Sequence, residues 1–461
     1  TALDRHVGNP EIAKIGLAAL AVLVGGRPAV ATWVVSIGAV ETIRTSARSF
    51  ESDAALSLQA SRALLAVASA HTFSAAPSTA AAPTEPSLGE PHRAHAAEVL
   101  LSVLERHPCD LAVALSACKA LCHVATGDDA ARAAAATLAA LYVHRKDALM
   151  CRVCCRLIHI LCAASEPSRS HVLASTAVED IAAIIQLHPS RLEIVTEACG
   201  ALERLGIGAA GQCGGATSGA TVVALFFQAG VYPALLRVMH RHSHVASLTG
   251  SGCNILSLCA DADQAVKDSI VPGDRGAAAV AVSALVRHSA ARWPADSAKS
   301  ARENTVDDAT ICTQAAQAVA ALALNSALAQ ASLGEAGAID ALLLALRVHR
   351  DRSIVLCRVV VVALSALCAD CVSNMDSLHK QEGVGQIVRA ARYTGDETLC
   401  VETCRAVATW CEPGENSLVD WRCTPAGSDM LTLACTMLQG AVARGACGTG
   451  GLPDTATVSS D

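Results

Sequence analysis

The sequence predicts an all-α chain assembled from about eight or nine stacked helical repeats. Three observations lead there. An apolar residue, two variable ones and a second apolar residue recur nine times near the ends of helix-like runs; four of the eight gaps between recurrences cluster at 43 to 45 residues; and the composition is rich in small apolar residues but only 2% aromatic. A chain of 461 residues exceeds the roughly 250 to 300 that one core usually serves, so it must divide or extend by repetition. With 52% apolar residues, the core falls to Ala, Leu, Val, Ile and Cys. Such side chains suit closely stacked helices, whereas sheets favour aromatic and β-branched residues.

The nine pairs are Leu20/Leu23, Leu64/Val67, Leu121/Val124, Leu157/Ile160, Leu202/Leu205, Ile255/Leu258, Val319/Leu322, Leu364/Leu367 and Val407/Trp410. Their first members are 44, 57, 36, 45, 53, 64, 45 and 43 residues apart. The three longest gaps coincide with segments of loop-like composition. Residues 74–91 carry four prolines, 206–219 are Gly-rich, and 288–308 are polar and broken by Pro294. These read as insertions in a single solenoid over residues 1–444, with a last helix at 429–444 and a flexible tail at 445–461.

The clearest unit runs from Glu335 to Asp370. Ile339, Leu342, Leu343 and Leu346 share one helix face, a polar turn follows around Asp351, and Val360, Leu364 and Leu367 share the face of a second helix. The phrase Gly337-Ala338-Ile339 before a Leu-rich helix, with Gly230-Val231 and Gly38-Ala39-Val40 in equivalent places, resembles the armadillo repeat. The resemblance covers about residues 9–440 and is strongest at 228–260 and 335–370. The 36-residue gap also fits HEAT-type repeats. What the resemblance implies is a right-handed α-α superhelix whose concave groove, lined by the last helix of each unit, binds a protein. It further implies a noncatalytic scaffold in the cytoplasm, within a cytoskeletal or ciliary assembly. The alternative is a nuclear-transport or signalling adaptor carrying a cargo peptide.

Armadillo proteins that hold extended peptides often place an Asn one residue before the second apolar member of the pair. Here those places hold Val22, Ala66, His123, His159, Arg204, Ser257, Ala321, Ala366 and Thr409. The missing Asn argues against basic nuclear signals as cargo. Lys119, His123, His159 and Arg204 instead form a cationic stripe, with Ser257 continuing the series, and an acidic or phosphorylated segment is the partner expected. Arg pairs such groups bidentately, and His adds charge below about pH 6.5.

Other signals give way to packing. Cys151, Cys154 and Cys155, near His144 and His159, offer zinc-like spacing, but the run is helical and lacks a second pair. Cys368 and Cys371 are treated alike, and the 21 cysteines read as buried thiols. The run His240 to His244 reads as a solvated turn, and Ser116-x-x-Lys119 as a chance match to an acyl-enzyme motif. No cofactor or enzyme motif is found. A net charge of −7 and four scattered tryptophans give no nucleic-acid footprint. The apolar runs 15–26 and 359–369 are short of the roughly 20 residues of a membrane span, so a soluble chain within a larger complex is expected.

Overall fold

The computed structural model describes residues 9–72, 90–125, 129–210, 219–290 and 308–411, and every regular element among them is helical. The proposed last helix and the tail lie outside the described residues, as do most of the three insertions. The edges of those insertions are helical. Residues 206–210, read as loop from their glycines, instead complete a long helix, which carries its glycines despite a propensity cost of roughly 1 kcal/mol each.

The chain forms two compact units, Thr1–His242 and Ser243–Asp461. In the first, the helices are α1 (Pro10–Val24), α2 (Pro28–Ser36), α3 (Ala39–Ser49), α4 (Ala54–Thr72), α5 (Glu90–Arg106), α6 (Leu111–Val124) and α7 (Ala130–His144). Then come α8 (Ala148–Ala164), α9 (Glu166–Leu173), α10 (Ala177–Leu187), α11 (Leu192–Ala210), α12 (Gly219–Gln228) and α13 (Val231–Arg241). The second unit holds α14 (Ala246–Ser257), a 3-10 turn (Leu258–Asp261), α15 (Gln264–Ile270), α16 (Ala277–Ala290), α17 (Asp308–Ala323) and α18 (Ala327–Glu335). It continues with α19 (Ala338–His349), α20 (Ile354–Cys368), α21 (Val372–Lys380), α22 (Gly383–Thr394) and α23 (Glu397–Cys411).

In the fullest repeats a short helix turns into a middle helix, and a polar turn then leads to a long one. The long helices stack in chain order, α1, α4, α6, α8 and α11 in the first unit and α14, α17, α20 and α23 in the second. All nine apolar pairs fall at these helices or their last turn. The first member is buried in every pair except Leu20 of α1. Each repeat thus exposes a helix face that only its neighbour covers, which is how a solenoid is stabilised. The chain is an all-helical α-solenoid.

Local chemistry sets the breaks. Asp53, Asp110, Asp147, Ser353 and Asp396 each accept backbone N–H bonds at the start of a long helix, so the polar turn is a set of N-caps. Several corners between short and middle helices use a left-handed residue, although the one before α10 turns through Thr176 at φ −80°. Gly38, Gly230 and Gly337 supply it with φ of 78°, 69° and 84°. At the equivalent corner before α22, Glu382 adopts φ 53°. Replacing Glu382 with Gly is therefore expected to stabilise the second unit by about 1 kcal/mol, and Gly337→Ala to destabilise it by a similar amount. Urea unfolding of the two variants beside the parent checks both signs.

A histidine closes the end of several middle helices. Nε2 of His107, His144, His242 and His349 lies 3.0, 2.8, 2.8 and 3.2 Å from the carbonyls of Glu51, Pro108, Pro189 and His288. Each carbonyl belongs to the end of the preceding middle helix or the turn after it, so each ring ties one repeat to the next. The ring that the His240 to His244 run supplies is accordingly buried, not solvated: His242 is only 9% exposed. His144 is likewise turned to Pro108 and not to the cysteines of α8.

Candidate functional site

The stripe read from the sequence lies on three successive long helices of the first unit. Lys119 and His123 stand on α6, His159 on α8 and Arg204 on α11, with α8 packed between the other two. Lys119, His123 and His159 are half-buried and Arg204 is exposed. Arg204 Nε donates to His159 Nε2 at 3.5 Å. The other ring nitrogen, Nδ1, would lie 2.6 Å from a Cβ placed on Gly200, so the absence of a side chain there seats the imidazole against α11. Ser257 belongs to the second unit, at the end of α14, where its hydroxyl donates to Asn254 O at 2.7 Å.

The electrostatics differ from the expectation in two ways. Burial, and then the guanidinium of Arg156, push the His123 pKa down; burial, and then Arg204, do the same to His159. Both rings are therefore neutral near pH 7, and the accepting Nε2 of His159 agrees with that. The charge on this face comes from Lys119, Arg204 and Arg156, the last an exposed residue of α8 that the sequence reading passed over. Arg156 sits one turn before His159, a spacing that could have marked it as sharing the face. The face also carries acids. Glu193 of α11 pairs with Arg152 of α8. Glu197 is half-buried, and desolvation holds its carboxyl above the usual range against the pull of Arg156 and Arg152.

These shifts set a pH dependence. The unfolded chain binds the His123 and His159 protons near pH 6.5, before the folded chain does. Stability is thus full above that value and falls as pH drops through it, levelling off below the folded pKa. Thermal melts from about pH 7.5 to 5.5 should show a smaller loss for His123→Gln/His159→Gln than for the parent.

The remaining candidates resolve as packing. Cys154, Cys155 and Cys199 are fully buried, and burial pushes the Cys199 thiol up to about 12. The half-buried Cys122 thiol is also pushed up to about 12, mainly by desolvation. Protonated thiols of this kind act as small apolar side chains. Cys368 is buried as well, and Cys371 Sγ lies 3.5 Å from Ser373 Oγ. Ser116 Oγ is buried with no hydrogen-bond partner, so it is not paired with Lys119. Among the described residues no group of three His, Cys, Asp or Glu side chains is placed to hold a metal ion. No single described helix is long and apolar enough to cross a membrane.

Stacked long helices with a half-exposed polar face define the class: a helical-repeat solenoid. No protein-family model and no curated protein matches the sequence. Solved structures do match in fold. One is an engineered protein, 18% identical, covering 95% of this chain and 94% of its own, with a TM-score of 0.64. Another belongs to a structure described as showing that a conserved phosphorylation switch controls the interaction between cadherin and β-catenin. It is 13% identical, covers 88% of this chain and 74% of its own, and has a TM-score of 0.68. At these identities the likeness is one of fold.

Proposed function

We propose that the chain is a noncatalytic protein-interaction scaffold of the armadillo class, which holds an acidic or phosphorylated partner segment on the face formed by α6, α8 and α11. The observation that carries this reading is the convergence of Lys119, Arg156 and Arg204 on three stacked helices, on a face whose histidines are neutral. Arg binds carboxylate and phosphate through a planar fork, and a solenoid offers one such contact per repeat. The fold likeness to a chain in the cadherin and β-catenin structure supports a protein partner. A cytoplasmic setting, within a cytoskeletal or ciliary assembly, is proposed on the armadillo resemblance alone.

A second reading, an adaptor for a basic cargo peptide, draws on Glu193 and Glu197 of α11. It is the weaker one, because Glu193 is tied to Arg152 and Glu197 is half-buried with its pKa raised. Charge reversal separates the two. Arg156→Glu/Arg204→Glu should weaken binding of fluorescein-labelled, unphosphorylated Glu-rich peptides about tenfold or more. Unchanged binding of these probes, together with tighter binding of a Lys/Arg peptide, would favour the adaptor.

A further inference from the structure

We propose that a recess between the middle helices α19 and α22 of the second unit is a separate binding site for a phosphorylated serine or threonine side chain of a partner protein. The recess has a volume of about 260 Å³ and is lined by Leu346, Arg347, Arg350, Gln386, Arg389 and Ala390. Three of its six wall residues are arginines, and no carboxylate is among them. This site is distinct from the face on α6, α8 and α11, which lies in the other unit and on long helices.

The arginines are positioned by weak internal contacts that leave their donors available. Arg347 uses Nε on the carbonyl of Leu343, one turn back on its own helix, at 3.3 Å. Arg350 lies with its guanidinium carbon 5.5 Å from the centre of the Tyr393 ring, and its Nε is 3.4 Å from Asp351 Oδ1. Stacking on the ring fixes the plane of the guanidinium. Arg389 is exposed and has no ion-pair partner among the described residues. Three like charges held together on adjacent helix turns repel one another, and a dianion relieves that repulsion while accepting several N–H bonds.

Gln386 gives its Nε2 to Gln381 O at 2.9 Å and so closes the wall of the recess beside the arginines. A recess of about 260 Å³ admits one phosphate group, and the titration below separates an esterified phosphate from the free ion. An anionic membrane fits less well, because Asp340, Asp351 and Glu382 stand on or beside the same two helices and a flat anionic surface would meet them too.

The test is isothermal titration of the full chain with acetyl-Gly-phosphoserine-Gly-amide, its unphosphorylated form, inorganic phosphate and anionic phosphatidylserine vesicles. The phosphorylated peptide is expected to bind more tightly than the other three. Arg389→Glu should weaken it about tenfold or more, Arg389→Lys less, and Arg27→Glu not at all. Arg204→Glu should also leave this binding intact, so its result stays separate from that of the face on α6, α8 and α11. Equal affinity for phosphorylated and plain peptide would overturn the proposal. So would equal affinity of parent and Arg389→Glu, loss on Arg204→Glu alone, or preference for phosphate ion or vesicles.

Discussion

Lys267→Met is expected to lower the stability of the second unit by about 3 kcal/mol, an unusually large effect for a residue far from any proposed binding face. Lys267 stands on the short helix α15 and is 1% exposed. Its Nζ donates to Leu324 O at 2.6 Å and to Ala260 O at 3.4 Å. These carbonyls follow the long helices α17 and α14, where the last turn of a helix leaves acceptors without intrahelical donors and carries partial negative charge. One buried ammonium thus closes two successive repeats. Its neighbour Asp268 accepts from Ser326 Oγ at 3.0 Å, and Ser326 in turn caps α18 by accepting from Ala329 N at 3.1 Å. Met keeps most of the volume and removes the donors, leaving buried acceptors unsatisfied. Urea unfolding reads the loss. Hydrogen exchange should place the fastest new opening at α15 and the α17 to α18 turn. An unchanged unfolding midpoint would show that the carbonyls find other donors.

His349→Ala is the second large effect, expected at about 2 to 3 kcal/mol. His349 is 4% exposed, and its bond to His288 O ties α19 to α16. Removing the ring loses that bond and leaves a cavity of roughly imidazole size. His349→Gln keeps an N–H donor near the same place and should recover part of the loss, which a purely steric role would not produce. Thermal unfolding of the two variants separates bond from volume.

The histidine ties were partly legible. His107, His144 and His242 make such ties, and His188, whose Nε2 is buried without a partner, holds the equivalent place just after α10; the four are 37, 44 and 54 residues apart, and the corresponding long-helix gaps are 36, 45 and 53. A residue type that recurs in step with the repeat points to the repeat interface. Read singly, His144 resembled a ligand and His242 a solvated turn. The apolar pairs were easier, since burial of one residue per repeat imposes its period directly on the chain. The corner glycines were legible for a similar reason, because a left-handed residue at that turn favours Gly. Glu382 hides the same corner behind another side chain, and the structure alone reveals it.

The candidate face was half legible. Lys119, His123, His159 and Arg204 do stand on stacked long helices of one unit, as their register implied. Their charge states were not readable, because they depend on burial and on Arg156, which approaches His123 from the next helix. Lys267 shows the same limit: a lysine in a short polar run reads as solvated until the two helix ends that surround it are known.

The scaffold reading is tested most directly by amine-reactive cross-linking of the full chain bound to its purified partner, followed by mapping of the linked residues. Cross-links from the partner should gather on Lys119, the one lysine of the proposed face, and should vanish in Arg156→Glu/Arg204→Glu while that variant remains folded. Partner cross-links that spare Lys119 and persist in the charge-reversed variant would contradict a partner held on α6, α8 and α11.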